Sequence, residues 1–107
     1  MKIIYNNIIP LPGFSAINLF GVLFVRKGAG INETTITHES IHTAQMKELL
    51  YVGFYLWYFI EWFVKLIKYR NFDKAYRNIR FEREAYVNQY YPDYLKYRKK
   101  FSFIDYL

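Results

Sequence analysis

The sequence predicts an α+β fold, a small N-terminal β-sheet followed by about four helices. Three observations carry the prediction. Residues 2–27 are rich in β-branched and aromatic side chains. From Thr34 onward, helix formers and capping residues take over. All strand-like segments precede all helical ones, which argues against a βαβ crossover fold. A chain of 107 residues has room for one core, so residues 1–107 are expected to form a single domain.

The elements follow in chain order. Ile3-Ile4-Tyr5 and Ile8-Ile9 read as short extended pieces, broken by Asn6-Asn7 and by Pro10-Leu11-Pro12-Gly13. Residues 16–25 read as strand, with Gly21 placed to host a bulge or bend, and Arg26 to Gly30 as a closing turn. A helix over 34–50 follows, with Thr34, Thr35 or Thr37 as its cap. A second helix is expected over 52–70, with Gly53 as a weak point or a boundary, and a third over 73–91, started by Asp73. Pro92 then opens a C-terminal helix and tail over 92–107.

The second helix is unusual. Leu49 to Ile60 is an unbroken apolar run, shorter than the roughly 20 residues a bilayer-spanning helix needs. It is dense in Tyr and Trp, which favour the headgroup boundary, and a basic flank follows from Lys65 to Arg80. A core helix, an interfacial helix and a span all remain open for residues 49–67.

Composition narrows the function. There is no cysteine, which excludes disulfides, thiolate zinc cages, iron–sulfur clusters and cysteine nucleophiles. The formal charge is +6, and most of the Lys and Arg lie after residue 50, pointing to an anionic partner. Basic residues alternate with Tyr69, Phe72, Tyr76, Tyr94 and Tyr97, as in base-stacking surfaces. No nucleic-acid-binding signature accompanies them, so an anionic membrane surface is the expected partner and nucleic acid is not. Tyr97 to Lys100 reads as a solvated or lipid-facing helix end. Met1-Lys2 is not followed by a signal-peptide core, so a cytoplasmic protein is expected, peripheral at the inner membrane. The oligomeric state is left open.

The chemistry lies in His38-Glu39-Ser40-Ile41-His42, which contains both histidines of the chain. Positions i and i+4 share a helix face, so both imidazoles can reach one metal ion. Glu39 is offset by about 100° and can reach a metal-activated water without binding the metal. Chance placement of two histidines four apart with an adjacent Glu has a probability of about one in a thousand. Zinc also needs a third protein donor and an open position. With no cysteine and no third histidine, that donor is a carboxylate: Glu61, Asp73, Glu82, Glu84, Asp93 or Asp105. Glu82 shares a helical stripe with Ile79, Ala85, Tyr86 and Gln89, which makes it the expected ligand. Glu84 falls beside Arg77, Arg80 and Asn88, a solvent-like set, and stands as the alternative.

These residues resemble the gluzincin branch of the zincin metallopeptidases. His38 to Gln45 looks like the H-E-x-x-H-x-x-Q helix of small bacterial members, and Glu82-Arg83-Glu84-Ala85-Tyr86 looks like their second motif. The resemblance implies a minimal zincin-like fold, a zinc ion on His38, His42 and Glu82, Glu39 as general base, and a peptide or protein substrate. Tyr86 stands where the family often has an Asp that supports a histidine ligand. It is therefore a candidate for that support or for stabilising the oxyanion, with Tyr90 and Tyr91 as neighbouring phenols. Residues 16–26 would supply an edge strand above the first helix, either receiving an extended substrate or serving only as a lid. A metal-binding domain without activity, and a basic aromatic membrane-surface module, are the rival readings.

Overall fold

The computed structural model describes residues 1–10 and 14–106. Among these residues three strands form one mixed sheet: β1 (Lys2–Asn6), β2 (Ala16–Leu19) and β3 (Val22–Arg26), in the order β1-β3-β2. β1 runs parallel to β3, and β2 pairs antiparallel with it through Leu19↔Val22. That register leaves a two-residue hairpin loop, Phe20-Gly21, with φ of 53° and 88°. Positive φ at both positions matches the twist of the strands, so Gly21 serves a tight turn and not a bulge. A Cβ at Gly21 would also come within 3.3 Å of Thr43 Cγ2. Leu23 and Val25 of the central strand are fully buried.

Among the described residues five helices follow: α1 (Glu33–Glu48), α2 (Val52–Tyr69), α3 (Phe72–Arg77), α4 (Arg80–Asn88) and α5 (Tyr94–Tyr97), then a 3-10 turn at Ser102–Tyr106. The α+β arrangement is the one the sequence predicts, with corrections at the element ends. Asn32, not a threonine, caps α1, its Oδ1 accepting from the Thr35 N–H at 2.9 Å. Asn71, not Asp73, caps α3, accepting from the Lys74 N–H at 2.9 Å. The α1–α2 boundary falls at Leu50 and Tyr51, both at positive φ, and the two helices meet at 110°. The C-terminal helix is shorter than expected because Arg98 is extended.

The largest correction concerns residues 73–91, which form two helices and not one. Ile79 is extended and fully buried. The Glu61 carboxylate, from the middle of α2, accepts the Arg80 N–H at 2.6 Å and Arg80 Nε at 2.7 Å. A buried acceptor from a distant helix thus satisfies the new N-terminus, which carries no cap of its own. Glu61 is a structural cap and not a metal ligand.

Phe81 sits at the centre of the core, with ring centroids 4.8 Å from both Phe54 and Phe103 and 5.6 Å from Trp57. Tilted and edge-on aromatic contacts of this kind add to the area they bury, and they account for part of the aromatic excess. No single helix among the described residues is long and apolar enough to cross a membrane.

Candidate metal centre

The buried face of α1 is Thr37, His38, Ile41, His42, Gln45 and Met46, a mostly polar stripe. Polar side chains inside a small domain must be partnered, and here the partners come from α4. His38 and His42 lie one turn apart and direct their Nε2 atoms to the same point, 3.1 Å from each other. Glu82, in the first turn of α4, brings Oε1 to 3.1 Å from each of those nitrogens. All three residues are buried.

The outer ring nitrogens decide what this triangle is. His38 Nδ1 lies 2.8 Å from Gln89 Oε1, and His42 Nδ1 lies 2.8 Å from Gln45 Oε1. An amide oxygen only accepts, so both Nδ1 atoms carry hydrogen, and each neutral ring presents an Nε2 lone pair inward. Two lone pairs and a carboxylate oxygen therefore converge, an arrangement that repels itself unless a cation occupies the centre. Zinc–ligand bonds of about 2.0–2.1 Å at tetrahedral angles set neighbouring donors about 3.3–3.4 Å apart, close to the observed triangle. The donor set His, His, Glu is chemically suited to a divalent metal ion such as Zn²⁺. Without a metal, a proton plays the same part: burial disfavours a charged His42, but the Glu82 carboxylate outweighs it and raises the imidazole to about 9. Burial likewise opposes the ionised Glu82, yet the two histidines hold it below the usual carboxylate range.

The surroundings hold this arrangement in place. Tyr58 donates its hydroxyl to Glu82 Oε2 at 2.7 Å, orienting the carboxylate so that Oε1 faces the histidines. Burial and the nearby Glu82 charge push the Tyr58 phenol well above its ordinary range, so it remains a donor. Asn18 ties β2 to α1, donating through Nδ2 to the Glu39 carbonyl at 2.9 Å and to Thr43 Oγ1 at 3.0 Å. β2 thereby lies along an open cleft of about 260 Å³ lined by Ala16 to Leu19, Glu39, His42 and Glu82 among others. Glu39 is on this cleft and outside the donor triangle, where the helical offset places it.

Tyr86 meets the site through its ring, edge-on to His38 at 4.6 Å between centroids, and its hydroxyl lies 3.2 Å from that of Tyr76. Tyr90 and Tyr91 are exposed. Glu84 overturns its solvent-facing expectation, because it is fully buried. It accepts from Gln45 Nε2 at 2.9 Å and Tyr94 Oη at 2.7 Å, and it pairs with Arg98. Arg98, expected at a solvated helix end, has a side chain only 4% exposed and also binds both oxygens of Glu48. The C-terminal segment covers the side of α4 away from the metal site, so Glu82 and Glu84 both face inward, in different clusters. Burial disfavours the Arg98 charge, but Glu84 and Glu48 outweigh it and hold the guanidinium protonated.

Sequence reasoning missed Gln45, Gln89 and Tyr58 as partners of the donors. The first two left a signal, since Gln45 is three residues beyond His42 and Gln89 lies on the Glu82 stripe. Tyr58 left none. The fold and the site together define a divalent-metal-binding α+β domain, consistent with an HExxH zincin-like metallopeptidase. No protein-family model matches the chain, and neither does any curated protein or solved structure.

Proposed function

We propose that this protein is a zinc-dependent metallopeptidase of the gluzincin-like kind, hydrolysing peptide bonds with a metal-activated water. The observation that carries the reading is the convergence of His38 Nε2, His42 Nε2 and Glu82 Oε1 at 3.1 Å separations, with Glu39 on the adjoining cleft. The branch assignment rests on the third donor, a Glu on a helix that follows the histidine helix in the chain. Zinc, when bound, supplies Lewis acidity and lowers the pKa of a water toward about 7. His38, His42 and Glu82 would hold it, and Gln89, Gln45 and Tyr58 keep those three side chains oriented. Glu39 takes a proton from the attacking water and passes it to the leaving amine. β2, at the edge of the sheet and along the cleft, offers backbone groups to an extended peptide. The proposed setting is an anionic membrane surface, supported by the aromatic α2 and its basic flank.

The test has two parts. Metal analysis of the purified protein is expected to give one zinc per chain, and Glu39→Gln is expected to keep that zinc while abolishing cleavage of casein or a peptide library. Absence of stoichiometric zinc overturns the metal reading. Cleavage retained in Glu39→Gln overturns the role of Glu39. Zinc bound without any cleavage by the wild type establishes the inactive metal-binding domain instead.

A further inference from the structure

α2 is turned inside out. Its one acid, Glu61, is buried on the same side of the helix as Phe54. The opposite side runs from Val52 through Leu56, Phe59, Ile60 and Phe63 to Ile67, a helical stripe whose members are 52–72% exposed. Within that arc there is no polar or charged side chain. A surface helix ordinarily shows the reverse pattern. Side chains this large and this exposed, on one continuous face, form the kind of contiguous apolar patch that marks a protein or membrane interaction site.

We infer that this face of α2 lies in the headgroup region of an anionic bilayer and that the metal cleft opens beside it. Charge complementarity selects the occupant. Exposed Lys68, Arg70 and Lys74 cluster at the C-terminal end of α2 and just beyond it, and the Lys68 and Lys74 ammonium groups lie 5.2 and 5.0 Å from the Tyr69 ring centroid. An apolar stripe on a helix whose C-terminal end carries this cation cluster matches acyl chains bordered by phosphate headgroups. A helix of 18 residues is about 27 Å long, enough to lie in the membrane plane as an anchor.

The cleft is continuous with this face. Tyr55 and Tyr58 line both the metal cleft and a neighbouring apolar groove, whose other walls are Phe59, Trp62 and Tyr76. Phe59 belongs to the stripe itself. Trp62 and Tyr76 also border a larger apolar pocket of about 850 Å³, lined in addition by the exposed Ile8, Phe14 and Phe72. Resting on the peptidase reading, the substrate class is a peptide segment with bulky apolar side chains held at the bilayer surface.

Vesicle sedimentation tests the docking face, using phosphatidylglycerol–phosphatidylcholine vesicles with phosphatidylcholine alone as control. The zinc-loaded wild type is expected to sediment with the anionic vesicles. Ile60→Ser/Phe63→Ser is expected to lower partitioning at least tenfold with unchanged zinc content. Lys68→Glu/Lys74→Glu is expected to act similarly at low salt, and about 0.5 M salt to weaken wild-type binding by screening. Equal partitioning of wild type and the Ile60/Phe63 variant, or none by either, overturns the inference. A lipid-free dimer that dissociates in that variant overturns it too, assigning the stripe to self-association. Cleavage of an apolar peptide, measured with and without vesicles, is a separate readout. Vesicle binding without zinc or cleavage sinks the peptidase reading alone, and cleavage unaffected by vesicles that do bind sinks only the substrate class.

Discussion

Replacing Gln45 by Leu removes the hydrogen-bond partner of His42 Nδ1 among the described residues while leaving every metal donor in place. Gln45 is fully buried and makes three contacts: Oε1 accepts from His42 Nδ1, and Nε2 donates to the Phe81 carbonyl and to Glu84 Oε1. Leu fills similar space and makes none of them. Glu84 keeps Arg98 and Tyr94 and the Phe81 carbonyl lies inside α4, so the uncompensated group is the His42 N–H. Buried polar groups left unpaired cost about 1–3 kcal/mol, which for a domain of this size lowers the melting temperature by about 5–20 °C. Loss of the group orienting a ligating histidine weakens metal binding about 10–100-fold, or about 1.4–2.7 kcal/mol. At equal free zinc the variant therefore gains correspondingly less thermal stabilisation than the wild type. A competition titration against a coloured zinc chelator, with melting curves at several zinc concentrations, reads both effects. Lys47→Ala, exposed on the same helix, is the control. Zinc affinity within about threefold of wild type, with the variant folded, would refute the argument that Gln45 sets the tautomer and direction of His42.

The other expectations use different parts of the molecule. Glu82→Gln is expected to abolish stoichiometric zinc, whereas Glu84→Gln should retain zinc and lose thermal stability; metal analysis of the two variants side by side checks it, and the opposite result reassigns the ligand. Glu61→Ala strands Arg80, whose side chain is 18% exposed, and uncaps α4, so chemical denaturation should show a loss of about 3–5 kcal/mol. Restoration by Arg80→Met in the same background would identify the orphaned charge as the cause. The pH dependence of the zinc-free protein follows from His42. Its folded pKa, about 9, lies above its ordinary 6.5, so the folded state holds the proton more tightly than the unfolded one. That stabilisation is complete below pH 6.5 and lost as the pH rises through about 9. The zinc-free melting temperature is expected to fall across that window, and a flat or rising profile contradicts it.

Much of the fold and part of the site were legible in the residues. Strands before helices, and the aromatic helix after the histidine helix, are stated by local pattern and survive in the structure. The division of residues 73–91 was not legible, because its cause is Glu61, 19 residues away from Arg80, acting as a cap from another helix. The caps Asn32 and Asn71 were readable in principle, since each is the side-chain acceptor immediately before its helix. Competition from nearby threonines and Asp73 obscured them.

The sequence by itself pointed to a metal site of two imidazoles and a carboxylate. Four-residue spacing places His38 and His42 on one helix face whatever packs around them, and a chain with no cysteine and no third histidine leaves Asp and Glu as the usual third donors. The helical stripe already favoured Glu82, and tertiary structure decided what each of the two neighbouring carboxylates meets. Glu82 and Glu84 look like an inward and an outward residue of one helix, and both prove buried. α1 and α2 cover one side of α4, and the C-terminal segment that carries Arg98 and Phe103 covers the other. Helical spacing sets the direction of each side chain; only packing from distant segments sets what each direction meets.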